Sequence, residues 1–249
     1  MKPVLLSIHM ALLLSVAQQA APARAADDLP CGAGTVSQAV TGKQWITWLK
    51  TLSDDQSWFV ALCNYLNTKH ENNDLKDSQK LGIIHLLEYA NTDLNRDFIV
   101  RDILFPFYRH YPYLVKLNFE KAVDKGYLEF TDPVAFDVYN IAKQQMNAEK
   151  RALPLQEKKA IESGNGNEIG WISLSWFAVG EFKRAADLAR TALRLGVRDV
   201  PRTQLTLGIS LAFAGDPSGA QAEFKKIRSK GREQEIADFW ILYLETRSK

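Results

Sequence analysis

Few residues in this 249-residue chain have the type and spacing to do chemistry. His85 and Glu88 stand three apart in a helical pattern and so share a face. A general base and its orienting carboxylate need such a pair, and so does an ordinary surface or half-buried hydrogen bond. Glu168, beside the run Gly164-Asn165-Gly166-Asn167, has the chemistry of a general acid, yet no partner carboxylate can be placed next to it. Neither His-Glu-x-x-His nor Gly-x-Ser-x-Gly occurs. Cys31-Gly32-Ala33-Gly34 is glycine-rich but does not lie between a strand and a helix, so it reads as chain flexibility and not as a phosphate cradle. There is no Cys-x-x-Cys, and beyond the first 25 residues the histidines are His70, His85 and His110. No catalytic residue, metal site or cofactor is therefore assigned, and the chain reads as a non-enzyme.

Binding chemistry is better represented. The segment from Phe105 to Tyr113 packs five aromatic residues and two prolines around Arg109 and His110. Rings with a neighbouring cation recognise sugars or proline-rich strands, and they also pack kinked corners between helices. Tyr108, Arg109, His110, Tyr111 and Tyr113 are thus a second candidate site, and an exposed His110 would make binding there pH-sensitive. Lys225, Lys226, Arg228, Lys230 and Arg232 form a basic cluster that reads as the solvated end of a helix.

The N-terminus carries export signals. Lys2 precedes an apolar stretch from Val4 to Ala17, and Ala23-Arg24-Ala25 offers small residues at the spacing of a cleavage site. Residues 1–25 read as a signal peptide cleaved near Ala25, 26–41 as an arm, 42–163 as an N-terminal helical region and 164–249 as a repeat region with a closing helix. The apolar stretch falls short of the roughly 20 residues of a membrane span, and no second run of that length follows. Removing Lys2 and Arg24 leaves 29 basic and 29 acidic residues. A neutral mature chain gives no support for a nucleic-acid or anionic-lipid partner. An exported chain with two cysteines favours a Cys31–Cys63 disulfide stapling the arm to the first hairpin, with two free thiols as the other reading. The localisation this implies is a bacterial periplasm.

Helical spacing dominates from residue 42 onward, and no alternation typical of strands occurs. Trp45, Trp48, Leu49 and Leu52 follow the three-four rhythm, as do Trp58, Phe59, Leu62, Cys63 and Leu66. Another helix begins at Asp77 or Ser78, and Asn91 to Asn95 breaks the pattern. Pro106 is expected to kink or end the helix over Phe98 to Tyr108. Gly126 ends the helix that begins near Pro112. Thr131-Asp132-Pro133 is a start signal, and Pro154 is expected to mark a further start.

Two stretches about 35 residues apart repeat one another. When Gly180 is aligned with Gly215, Ser173 falls on Gly208 and Ala185 on Ala220. Such a period with small residues at fixed offsets marks stacked helix-turn-helix units. These residues resemble the tetratricopeptide repeat, which carries Gly at the turn and Ala at the closest helix approach. The likeness covers about 80 residues. It implies an all-α, right-handed helical-hairpin solenoid whose first helices line an inner curve. Leu174, Phe177, Arg202, Leu205, Ile209 and Phe213 would form a partner-binding groove there, taking a peptide or an amphipathic helix from another protein. Alternatively the closing helix, with Phe239, Trp240 and Leu244, fills the curve. The function these readings imply is a protein-interaction adaptor in envelope assembly or secretion. The competing reading is a cell-wall (peptidoglycan) hydrolase or its accessory ligand-binding domain.

Overall fold

A computed structural model of the chain describes residues 42–51, 58, 60–66, 77–228 and 231–246, all within one compact unit, residues 36–249. The expected signal peptide, the arm and Cys31 lie outside the described residues, so the Cys31–Cys63 pairing does too; Cys63 itself is fully buried. Among the described residues every regular element is helical. They are α1 (Gly42–Leu49), α2 (60–66), α3 (Asp77–Tyr89), α4 (Arg96–Phe98, Ile99–Leu104 and Phe105–Phe107 in succession), α5 (Pro112–Asp124) and α6 (Pro133–Ser163). The C-terminal part holds α7 (Gly166–Ala178), α8 (Phe182–Leu195), α9 (Val200–Phe213), α10 (Pro217–Phe224) and α11 (Arg232–Thr246).

The repeat is visible bond by bond at the two turns. Gly180 and Gly215 have φ of 81° and 86°, the left-handed region that glycine enters at no steric cost. The amide of Gly180 donates to Phe177 O and that of Glu181 to Trp176 O; Gly215 donates to Ala212 O and Asp216 to Leu211 O. Both helices therefore end in the same 6→1 and 5→2 pattern, which satisfies carbonyls that the helix leaves open. Ala185 and Ala220 are fully buried at equivalent places. At Gly208 a Cβ would stand 2.3 Å from the Phe224 ring, so the missing side chain is what admits that ring. One period earlier Ser173 replaces the glycine, Ala189 replaces the phenylalanine, and the serine hydroxyl donates to Ala185 O at 2.8 Å.

From α5 to α11 each helix packs on the next in chain order, and α7 also touches α9. A carboxylate locks three of them. Glu157 on α6 is buried and accepts from Trp176 Nε1 on α7 at 2.7 Å and from the Arg184 guanidinium on α8 at 2.5 and 2.8 Å. Its partners fix both oxygens, which is the condition for a buried charge to be tolerated. Helix α3 is buried almost all round and lies against α9 and α11. Trp240 Nε1 of α11 donates to Gly82 O of α3 at 2.9 Å, and a Cβ on Gly82 would meet Ile236 at 2.8 Å.

One expectation about prolines needs correction and the other fits. Helix α6 runs through Pro154 without a break. The missing N–H costs helix stability, but Leu153, Glu157 and Ala160 are buried on either side of it, and packing overrides local preference. Near Pro106 α4 is distorted and then stops, with Phe107 its last helical residue, in keeping with the expected kink or end. Ile99–Leu104 winds as a π-helix, with Phe105 N donating to Val100 O, and this wider turn leads into Pro106.

Replacing Gly208 with Ala tests the close approach. Alanine gains helix propensity, yet its methyl drives into Phe224, and overpacking of this kind costs about 1–3 kcal/mol. Urea unfolding should show a net loss of stability; an unchanged or raised midpoint would mean the Phe224 ring gives way freely.

Candidate binding cleft

The groove expected along the first helices, α7 and α9, is not an open trough. Phe177, Leu205 and Ile209 are buried. Helix α3 covers them, with His85 4.8 Å from the Phe177 ring and 5.7 Å from that of Phe213. A void of about 30 Å³ remains between Leu81, His85, Phe177 and Ile209. Phe213, half-buried, stacks on Phe182 at 4.7 Å and meets Tyr89 and Trp240. The closing helix α11 therefore shares the filling with α3. Three of the six groove residues expected from the sequence belong to the core. Leu174 and Arg202, half-exposed, open instead onto a cleft at the outer end.

That cleft encloses about 930 Å³. One wall is a single face of α6: Ile141, Gln145, Glu149, Ala152, Leu153 and Gln156. This face spans sixteen residues of helix, about 22 Å. The second wall is the α4–α5 corner, with Pro106, Phe107, Arg109, His110 and Tyr111, and the third is α7, with Trp171, Leu174, Ser175 and Ala178. Arg202 of α9 closes it. Two sites read separately in the sequence thus meet in one cleft. A smaller recess of about 410 Å³, lined by Asn167, Arg198, Asp199 and Thr203, lies across the Trp171–Arg202 pair.

Of the aromatic corner, Arg109, His110 and Tyr111 face the cleft. Tyr108 supports from behind: its hydroxyl accepts from Arg109 Nε at 2.8 Å and its ring lies under the guanidinium at 5.3 Å. Tyr113 points elsewhere, edge-on to Phe182 at 5.5 Å and against Gly180. Burial, with the charges of Glu88 and Glu120, pushes its hydroxyl above the usual tyrosine range. The corner is tied to the opposite wall by Gln145, whose Nε2 donates to Arg109 O and, at 2.9 Å, to Glu149.

Trp171 was not singled out from the sequence. It is 63% exposed, and the Arg202 guanidinium lies over its ring at 5.5 Å. The one signal for it is positional. Trp171 sits two residues from Ser173, on the side of α7 away from Ile169 and Trp176, where a hairpin helix has no partner to cover it.

The groups considered for catalysis are not assembled for it. His85 is sealed in the core, where loss of hydration pushes its pKa down to about 3. Glu88 is committed to Lys121 Nζ of α5 at 2.8 Å and does not pair with His85. Glu168 is exposed at the start of α7 and takes only a 3.4 Å bond from Asn165. Among the described residues no three His, Cys, Asp or Glu side chains gather as a metal site. Comparisons with protein-family models, curated proteins and solved structures found no match.

A neutral His85 has a stability consequence. The unfolded chain protonates this ring near pH 6.5 and the folded one near pH 3. Between those values the unfolded state binds the extra proton, so stability is complete above pH 6.5 and drains away as the pH falls toward 3. His85→Phe should lose less stability than the parent chain between pH 7 and pH 4, as read by thermal melting; parallel losses would place the acid sensitivity elsewhere.

Proposed function

We propose that this chain is an exported, non-enzymatic protein-interaction adaptor that holds a segment of another protein in the cleft between α6, the α4–α5 corner and α7. The carrying observation is an exposed indole with a guanidinium stacked on it, facing an open cleft. Exposed large aromatics flanked by arginine are the residues on which binding energy concentrates in interfaces. The cleft follows four turns of α6 and keeps Ile141 (47% exposed) and Trp171 (63% exposed) at its rim. Small-molecule sites enclose most of their ligand; a trough open along its side suits a chain. The 35-residue register, the paired glycine turns and the buried alanines support the tetratricopeptide-like reading, and with it the binding role. Export rests on the residues before Ala25. No helix among the described residues is long and apolar enough to cross a membrane.

A photoreactive residue at Gln156, on the cleft wall, tests the reading. In envelope preparations it should form a discrete crosslink to another polypeptide, and Trp171→Ala should abolish that crosslink while far-UV dichroism stays native. The same probe at Lys183, exposed on α8, should give none. A crosslink indifferent to Trp171→Ala, or equal from both positions, would remove the cleft from the function.

A further inference from the structure

We infer that the segment held in this cleft is acidic: it brings a carboxylate to Arg202 and Arg109, beside an aromatic or aliphatic side chain that packs on Trp171. The inference rests on the cleft being a protein-binding site and names the chemistry of what it takes.

The chain contains a completed version of the same arrangement. On α7 and α8, Arg184 lies over the Trp176 ring at 5.1 Å, and Glu157 of α6 supplies the carboxylate that both residues need. In the cleft, Arg202 lies over Trp171 at 5.5 Å. Among the described residues no carboxylate lies within ion-pair distance of its guanidinium, and the same holds for Arg109. Stacking on a ring fixes the plane of a guanidinium and leaves its edge, with the N–H fork, pointing at whatever enters. Glu149 is the only acidic residue lining the cleft, and Gln145 already occupies one of its oxygens. Two guanidiniums and one partly committed carboxylate therefore line the cleft, and Asp199 in the adjoining recess spends its side chain on the Arg202 backbone amide. A basic segment would meet repulsion there, and a neutral one would desolvate two cations without compensation. The α6 wall, about 22 Å long, matches about seven residues of extended chain. The unmet charge and the length of the wall together describe a short acidic stretch carrying a large apolar residue.

The probe is a random twelve-residue peptide library displayed on phage and selected on the full-length chain. Selected peptides should carry Asp or Glu next to Trp, Phe, Tyr or Leu. Their affinity should fall about tenfold or more in Arg202→Glu and in Arg109→Glu, weaken with added salt, and vanish in Trp171→Ala. Arg109 is exposed on the corner, so its variant carries the test should Arg202→Glu melt at a lower temperature. Peptides that depend on Trp171 but are neutral or basic, or are indifferent to both arginine variants, leave the cleft in place and overturn its acidic preference. A selection yielding nothing, or nothing that responds to Trp171→Ala, brings down both the preference and the cleft.

Discussion

The apolar inner face of two stacked hairpins has to be covered, and the rest of this structure follows from how the chain covers it. Packing of each helix on the next buries the sides of the hairpins but not the apolar face of α7 and α9. Here the chain lays its own α3 across Phe177, Leu205 and Ile209 and backs it with α11. Only glycine at position 82 lets the two covering helices come together, with the Trp240 indole anchored on the Gly82 carbonyl. Much of the apolar face of α7 and α9 is thereby spent on the chain's own fold, and Leu174 and Arg202 stand where that covered face meets the open cleft.

How much of this the sequence shows depends on how local the cause is. Gly180, Gly215, Ala185 and Ala220 are legible because each answers a constraint within its own hairpin: a left-handed turn, or two helices too close for a larger side chain. The all-helical character and the start at Pro133 are legible for the same reason. What fills the groove is not. Helix α3 spreads its polar residues, Gln79, Lys80, His85 and Glu88, round the axis among apolar ones and buries most of them, so its sequence has no single polar face to show which neighbour it covers. Pro154 misleads because the packing of Leu153 and Ala160 outweighs a backbone cost. The merging of the Arg109–Tyr111 corner with Leu174 and Arg202 depends on α6 passing beside both, a long-range relation that residue spacing does not encode.

The two Trp–Arg pairs show how one local motif can serve different ends. Inside, Trp176 and Arg184 are completed by Glu157 and hold α6, α7 and α8 together. At the surface, the Arg202 guanidinium lies over the Trp171 ring at a similar separation without that third member. Prearranging the guanidinium on a ring reduces the ordering that binding would otherwise require. The Gln145 link to the Arg109 carbonyl does the same for the opposite wall, fixing the corner relative to α6.

The indole of Trp240 finds its acceptor 158 positions back in the chain. A polypeptide emerging from the ribosome presents α3 long before α11 exists, so Gly82 and its neighbours must wait with their apolar sides uncovered until that fifteen-residue helix is released. Burial of α3 is therefore gated by α11, and chains cut short before Arg232 would be left with a bare, adhesive interior that quality-control proteases and holdases recognise.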